Sequence, residues 1–204
     1  REYTRFGSAS TLGSPMPRCF WCNEDPLYMD YHDQEWGVPL HDDQKHFEML
    51  ILEGAQAGLS WQTILNKREG YRQAFKQFDP QAVAVMSDDE LEQQLQNPAI
   101  VRNRLKVFGA RKNAIAFLKI QQEFGSFDTY IWAFVDNQPL INRPASMVDV
   151  PASTELSDRI SKDLKKRGMT FVGTTIIYAY MQAVGLVDDH TRDCWCCTQV
   201  AEPA

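Results

Sequence analysis

The chain has 204 residues, 44% of them hydrophobic, and a formal net charge of −6. This length can bury one sizeable core, so we expect a single domain, and the negative charge argues against a protein coated in nucleic acid. No segment approaches the roughly 20 apolar residues that span a membrane. Five cysteines clustered near the two ends favour a reducing compartment, so we expect a cytoplasmic protein without a membrane partner.

The first residues of the chain lack an initiator Met and show little apolar periodicity, and the first Met is Met16. We therefore expect residues 1–15 to be an expression tag or a disordered extension. Residues 16–204 are expected to form a single helical domain, active as a monomer, whose two ends lie together.

Two pairs of soft metal ligands lie near opposite ends of the chain. Twelve residues separate Cys19 from His32, which suits ligands on a loop. His190 and Cys194 are spaced i, i+4, so one helical turn could aim both side chains at one point. Together the four residues could form one tetrahedral zinc site that joins the N-terminal segment to the C-terminal segment.

The spacing of the cysteines leaves two alternatives open. Cys19-x2-Cys22 and Cys194-x2-Cys197 also fit a four-cysteine zinc ribbon, and clustered cysteines can be inert buried thiols. The spacing favours a metal site over inert thiols, but it does not choose between the two sets of ligands.

Apolar residues recur with a helical period along nearly the whole chain, and no alternating stretch is long enough to build a sheet. Asp42 or Asp43 is predicted to cap one helix, and Ser87 with Glu90 forms a capping box for another. A long helix is predicted to follow Asn97-Pro98. The apolar stripes of the first and last of these helices are Phe47, Leu50 and Ile51, and Val101, Leu105, Phe108, Ile115 and Leu118. The pattern indicates an all-α fold.

An acidic residue, Glu53, follows an apolar run and precedes two glycines and Trp61. Its carboxylate could lie at the lip of an aromatic cavity, where a cationic, hydrogen-bonding ligand would offset the cost of desolvation. Tyr28 and Tyr31 could add ring faces and hydroxyls to such a cavity. Taken alone, the pattern is explained better by a Glu53 that caps a helix or forms a salt bridge with a neighbour, and by a Trp61 that belongs to the core.

Two helices are predicted around a glycine-containing hairpin near the C-terminal end. The first begins at residues 151–153 and ends before Gly168, which suits a left-handed C-terminal cap, and the second runs from about Thr174 to Gly185. Backbone N–H groups of the hairpin 168–173 would favour a phosphate. The first helix ends in the basic residues Lys165, Lys166 and Arg167. An ordinary antiparallel helix pair is the commoner explanation of such a pattern.

Several long motifs, in the same order along the chain, resemble the bacterial 3-methyladenine DNA glycosylase I family. The motifs are Cys19-Phe20-Trp21, Asp25 to Tyr28, Tyr31 to Pro39, Leu52 to Trp61, Lys165 to Gly168, Phe171 to Thr175, and Gly185 to His190 with Cys194. The resemblance extends from about Arg18 to Cys197. The length and the order of the motifs make it specific.

The resemblance implies an all-α, helix-hairpin-helix DNA glycosylase fold with one structural zinc ion and no organic cofactor. The zinc ligands that it implies are Cys19, His32, His190 and Cys194. The other three cysteines, Cys22, Cys196 and Cys197, then lie outside the site. Four protein ligands leave no open coordination position, so the ion would stabilise the fold rather than activate water.

The implied reaction is hydrolysis of the N-glycosidic bond of 3-methyladenine in alkylated double-stranded DNA, which releases the free base and leaves an abasic site. The resemblance implies that Glu53 binds the edge of the cationic base and that Trp61 stacks on its face, with Tyr28, Tyr31 and Trp21 completing the pocket. A neutral adenine lacks the charge that complements Glu53 and is a poorer leaving group. The resemblance does not fix the residue that activates water: Glu53 is the nearest candidate, and direct attack by solvent on an oxocarbenium-like species is the alternative.

Contacts with DNA are expected from two segments. Gly58 and Leu59 are the candidate wedge for the gap that the flipped base leaves. In the hairpin, the proposed backbone-binding residues are Lys165, Lys166, Arg167, Phe171, Gly173 and Thr174. Asp188 and Asp189 precede a zinc ligand and are expected to orient His190 rather than to catalyse. No lysine is placed for a Schiff base, so we expect hydrolysis without strand cleavage.

Two other functions agree with parts of the sequence. A noncatalytic, zinc-stapled DNA-binding module would keep the hairpin and the metal ligands, but it would not need the acidic and aromatic motif from Leu52 to Trp61. A glycosylase for a different alkylated or deaminated base is distinguished only by the family resemblance.

Overall fold

A computed structural model describes residues 16–197, so the expected tag, residues 1–15, lies outside the described residues. Over 16–197 the chain forms nine α-helices, two short 3-10 turns and one pair of two-residue strands. The helices are α1 (Pro26–Gln34), α2 (Asp43–Ala55), α3 (Trp61–Ala74), α4 (Pro80–Ala84), α5 (Asp88–Gln94), α6 (Arg104–Phe124), α7 (Phe127–Ala133), α8 (Glu155–Lys166) and α9 (Thr174–Ala183). No helix in this range is long and apolar enough to cross a membrane.

Helix α2 lies at the centre of the fold. Asp42 caps it, as the sequence predicts, by accepting a hydrogen bond from the backbone N–H of Lys45 at 2.9 Å. Every residue from His46 to Ala55 is buried, because α3, α6, α7 and α9 all contact this helix. The side chain of Glu53, near the C-terminal end of α2, therefore lies in the interior of the protein.

The ends of three other helices agree with the sequence in part, because α8 begins at Glu155 rather than at residues 151–153 and α9 ends before the predicted Gly185. Ser87 and Glu90 form the predicted capping box at the start of α5. Helix α8 is capped by Thr154, and after its last residue Gly168 adopts the predicted left-handed conformation, with φ of 100°. Helix α9 begins at Thr174, as expected, and ends at Ala183.

The predicted buried stripe of α6 is wrong at two of its five positions, whereas Val101, Phe108 and Leu118 are half-buried. The helix begins at Arg104 after the cap Asn103, and Leu105 and Ile115 are exposed. The buried face instead carries small side chains together with a few large ones: Val107, Gly109, Ala110, Asn113, Ala114, Ala116, Phe117 and Ile120. Helix α6 contacts both α4 and α7, and Gly109 faces Thr170 and Phe171. Packing against these neighbours therefore selects the buried face, which the positions of the large apolar residues do not indicate.

A short parallel strand pair departs from the expectation that no sheet forms. Strand β1 (Leu140–Ile141) pairs with β2 (Val187–Asp188), and Leu140 lies opposite Val187. Two residues per strand are too few to produce a visible alternation in the sequence. The pair holds the loop after α7 against the segment that leads to His190.

Candidate active site and metal centre

A cavity of about 360 Å³ opens between α1, the C-terminal end of α2, the start of α3, and α9. Its lining residues are Phe20, Trp21, Tyr28, Tyr31, Trp36, Glu53, Gln56, Trp61, Val150, Pro151, Ala152, Thr175, Tyr178, Ala179, Gln182 and Asp189. All five residues that the sequence predicts for the base pocket are among them: Trp21, Tyr28, Tyr31, Glu53 and Trp61. The volume is within the range of small-molecule sites, and seven of the sixteen lining residues are aromatic.

Glu53 is the only acidic residue of α2 that faces this cavity among the described residues. Its side chain is 4% exposed, and no hydrogen bond or ion pair joins its carboxylate to another described residue. Burial raises the pKa of Glu53 to about 8, because the charged form has lost its hydration without gaining a partner. The site therefore stabilises a ligand that carries positive charge or hydrogen-bond donors.

Aromatic rings form the walls around the carboxylate. Tyr28 and Tyr31 lie on the same face of α1, and the ring centroids of Tyr31 and Trp61 are 5.5 Å apart. Trp21 contacts Tyr28 edge to face at 5.5 Å and Trp36 at 4.9 Å. The indole N–H groups of Trp21 and Trp61 are buried without a hydrogen-bond partner in residues 16–197. Unpaired buried donors beside a cavity suit a ligand that carries acceptor atoms.

Helix α9 forms one wall of the cavity, and the sequence does not predict this wall. Thr175, Tyr178, Ala179 and Gln182 line the cavity, and their i, i+3, i+4, i+7 spacing places them on one helical face. A glutamine on that otherwise apolar face is the signal that could have revealed it. Tyr178 and Gln182 donate hydrogen bonds to the carboxylate of Asp189, which also lines the cavity.

Four side chains from the two ends of the chain meet behind the aromatic wall. The ligand atoms of Cys19, His32, His190 and Cys194 all lie within 4.8 Å of one another, and all four residues are buried. Sγ of Cys194 is 3.4 Å from Nε2 of His32. Two sulfurs and two ring nitrogens at this separation need only a small contraction to surround one ion. This group could hold a metal ion.

Carboxylates orient both histidines of the group. Nδ1 of His32 is 2.8 Å from Asp33, and Nδ1 of His190 is 2.8 Å from Asp188. Each ring therefore turns Nε2 inward, and Nε2 of His190 is buried with no partner in the described chain. Histidines that bind metals show this arrangement, in which a carboxylate holds the other ring nitrogen.

Three details of the predicted metal site need correction. Asp188 orients His190 as expected, but the carboxylate of Asp189 is bound by Asn142, Tyr178 and Gln182 instead. The segment from His190 to Cys194 is not helical, since turns rather than an α-helical turn bring the two ligands together. Cys196, expected outside the site, forms a second group of potential ligands with His32 and Asp33. Cys22 and Cys197 belong to neither group in residues 16–197, which excludes the four-cysteine alternative there.

The α8–α9 hairpin, residues 165–174, exposes Lys165 and Lys166 at the end of α8. Arg167 is held by Asp163 at 2.7 Å and by Glu123 at 2.6 Å. At the other end, α9 follows Gly173 and has no side chain that caps its first turn. The backbone N–H groups of that turn are thus without an intrahelical partner.

Phe171 packs inward from this hairpin. Its backbone is left-handed, with φ of 56°. A Cβ added at Gly54 would lie 3.3 Å from Cβ of Phe171, and one at Gly109 would lie 2.9 Å from the methyl group of Thr170. The two glycines therefore let the hairpin approach α2 and α6 closely, with the ring of Phe171 against α6.

The predicted wedge lies on the connection between α2 and α3. Gly58 has φ of 78°, and a Cβ there would have no neighbour within 4 Å. Leu59 is 39% exposed, close in sequence to the lining residues Gln56 and Trp61. Lys106 fixes this connection by donating hydrogen bonds to the carbonyls of Ala55 and Ala57. An apolar side chain is thus held at the border of the cavity.

Comparisons with known proteins agree with this arrangement. Residues 21–198 match the family model described as methyladenine glycosylase. DNA-3-methyladenine glycosylase 1 of Escherichia coli (strain K12) is 50% identical over 181 residues, which cover 89% of this chain and 97% of that protein.

Two solved structures share the fold. A crystal structure of 3-methyladenine DNA glycosylase I has a TM-score of 0.86 and 53% identity, covering 88% of this chain and 99% of that one. A structure of a variant of 3-methyladenine DNA glycosylase I in complex with 3-methyladenine has a TM-score of 0.85 and 36% identity, covering 87% of this chain and 95% of that one. The resemblance visible in the sequence is confirmed: the chain belongs to the methyladenine glycosylase family.

Proposed function

We propose that this chain is a DNA-3-methyladenine glycosylase that hydrolyses the N-glycosidic bond of 3-methyladenine in alkylated double-stranded DNA. Free 3-methyladenine and an abasic site are the products. The family and the relatives named above support this reaction. The observation that carries it is the buried Glu53 carboxyl, which has no partner within residues 16–197, among the aromatic side chains of the cavity, because the attached N3-methylated purine is cationic and planar.

Recognition follows from complementarity of charge and shape. Glu53 binds the edge of the cationic base, Trp61 stacks on its face, and Tyr28, Tyr31 and Trp21 close the pocket. Removing the base from the stack costs a few kcal/mol, and a damaged, weakly paired nucleotide costs less than a normal one. A neutral adenine lacks the positive charge that would favour ionisation of the buried Glu53, and it would be a poorer leaving group.

Catalysis needs little assistance from the protein once the base is bound. The positive charge on the methylated purine already makes it a good leaving group, so stabilisation of the separating base and access of water are the remaining requirements. Glu53 is the nearest group for activating water. None of the residues that line the cavity within 16–197 is a lysine, which supports hydrolysis without a Schiff base and without strand cleavage.

We propose that zinc is the metal bound by the group Cys19, His32, His190 and Cys194. Two thiolates and two imidazoles are a common donor set for structural zinc, and the carboxylates behind both imidazoles fit it. When bound, the ion supplies a link between the chain ends rather than Lewis-acid chemistry, because four protein ligands fill its tetrahedral coordination.

The α8–α9 hairpin is proposed to act as a helix-hairpin-helix element on the DNA backbone. Main-chain N–H groups around Gly173 and Thr174 and the exposed Lys165 and Lys166 contact phosphates, while Phe171 supports the turn from inside. Arg167 adds positive charge to the surface, although two carboxylates already share its guanidinium. Leu59, beside Gly58, fills the gap that the flipped base leaves. The enzyme is proposed to act as a cytoplasmic monomer.

Release of a base from DNA tests the proposal. Methylated duplex DNA is incubated with the protein and with Glu53→Ala and Trp61→Ala, and the released bases are identified by chromatography. We expect 3-methyladenine from the unaltered protein, and a loss of at least tenfold in each variant because each removes a major contact with the base. Glu69→Ala, an exposed glutamate on α3 outside the cavity, is the control. DNA binding without any released base would favour the noncatalytic module instead.

A further inference from the structure

A second exposed apolar turn borders the cavity. Met147 and Val148 belong to the 3-10 turn Met147–Asp149 and are 60% and 86% exposed. The three residues that follow this turn, 150–152, line the cavity. The arrangement repeats that of Leu59, which is also exposed and also lies in a segment whose neighbours line the cavity.

The turn is held in place by backbone hydrogen bonds. Asp149 and Val150 donate to the carbonyls of Ser146 and Met147 at 3.1 Å, which closes the turn. The preceding loop is tied to the metal segment, because Asn142 donates to the carbonyl of Asp188 at 3.0 Å and the N–H of Arg192 donates to the carbonyl of Pro144 at 3.1 Å. Two large apolar side chains are thus presented to solvent from an anchored position.

A groove of about 510 Å³ runs from the cavity along the base of this turn. It shares Pro151, Tyr178 and Asp189 with the cavity, so the two adjoin. Its remaining lining residues are Asn142, Arg143, Pro144, Ala145, Asp149, Thr154 and Arg192. The two arginines suit a phosphodiester backbone, although Asp149 lies in the groove and Asp188 is 3.1 Å from Arg143.

We propose that Met147 and Val148 form a second wedge, which inserts against the base step that flanks the flipped nucleotide in duplex DNA. The proposal rests on the proposed glycosylase function and adds a second contact to that of Leu59. Proteins that unstack a base step do so by inserting apolar side chains, and duplex DNA is the partner that reaches both the cavity and the adjoining groove.

The duplex dependence of base release tests this wedge. Met147→Ser with Val148→Ser is compared with the unaltered protein on methylated duplex DNA and on the same DNA after heat denaturation. Only the duplex has a stack to open, so the ratio of the duplex rate to the denatured-DNA rate is expected to fall about fivefold or more. Val85→Ser changes a valine that is 81% exposed at the end of α4, away from the cavity, and the ratio is expected to stay constant.

Each other outcome contradicts the wedge. Equal loss on both DNAs means that the turn supports the pocket or the fold, and no loss on either means that it stays in solvent. The turn would instead bind a second copy of the chain if the ratio of rates is unchanged and self-association, measured by sedimentation at several protein concentrations, is weaker in the double variant than in the unaltered protein. Absence of 3-methyladenine release by the unaltered protein from denatured and duplex DNA refutes the proposed function itself.

Unstacking can also be observed directly. A duplex with an abasic-site analogue and an adjacent 2-aminopurine reports unstacking as increased fluorescence. The unaltered protein and Val85→Ser are expected to raise the fluorescence, and the double variant is expected to raise it less at saturating protein. An equal rise in all three proteins contradicts the insertion of Met147 and Val148.

Discussion

Glu53 places a carboxyl group in the interior with no ion pair to another described residue. The stability of the free protein should therefore depend on pH through this residue. Its pKa of about 8 in the folded protein exceeds the ordinary value of 4.5. A carboxyl whose pKa is raised by folding stabilises the fold at low pH, where both states are protonated, and this contribution is lost as pH rises from 4.5 to 8. Above pH 8 the loss is complete.

Glu53→Gln isolates this effect, because the variant shares every other titrating group with the unaltered protein. We expect equal free energies of unfolding below pH 4.5 and a growing advantage of the variant above it, by about a tenfold change in the unfolding equilibrium for each pH unit up to 8. Thermal or urea unfolding from pH 4 to 9 measures the difference. A constant difference across this range would show that Glu53 keeps its ordinary pKa.

The two sides of the cavity differ in how well the sequence predicts them. Glu53 and Trp61 lie in one short motif with glycines between them, so their proximity follows from local order along the chain. Tyr178 and Gln182 instead reach the cavity because α9 packs beside α2, and a residue on a buried helical face has the same sequence signature whether it faces core or cavity. Only tertiary packing distinguishes the two cases.

At the scale of elements, the α8–α9 hairpin should account for part of the salt dependence of DNA binding. Each lysine that neutralises a phosphate contributes about one unit to the slope of log affinity against log salt concentration. We expect Lys165→Gln with Lys166→Gln to weaken binding to all sequences and to reduce the slope by about two. Lys119→Gln, an exposed lysine on α6, is the control. Binding measured by fluorescence anisotropy at several salt concentrations gives the slopes, and an unchanged slope in the double variant would place the DNA elsewhere.

Helix ends were easier to predict than helix faces. Asp42, the Ser87–Glu90 box and Gly168 act through hydrogen bonds or backbone conformations confined to a few residues, so their signals are local. The buried face of α6 depends on which neighbours approach it, and its alanines carry no strong periodic signal. The i, i+4 spacing of His190 and Cys194 likewise suggests a helix, but the structure forms turns there because both ligands converge on residues from the other end of the chain.

The whole molecule is closed by contacts between its two ends. The backbone N–H of Trp195 donates to the carbonyl of Pro17 at 2.9 Å, and the four potential ligands join the segment around Cys19 to the segment around Cys194. Bringing together residues so far apart in the chain has an entropic cost, and a bound ion offsets it only in the folded state. Metal binding and folding should therefore be coupled.

Removal of the metal should destabilise the protein by a few kcal/mol. We expect about one zinc ion per purified chain by elemental mass spectrometry, and a lower Tm after treatment with a strong chelator. Cys194→Ser should lack zinc and unfold at a low temperature that the chelator does not change. Cys22→Ser is the matched control, because Cys22 lies near the same segment but outside the ligand group, and it should keep both zinc and stability. Loss of zinc from Cys22→Ser would contradict the two-cysteine, two-histidine site, whereas a full Tm after complete chelation would show that contacts such as that between Trp195 and Pro17 close the fold without an ion.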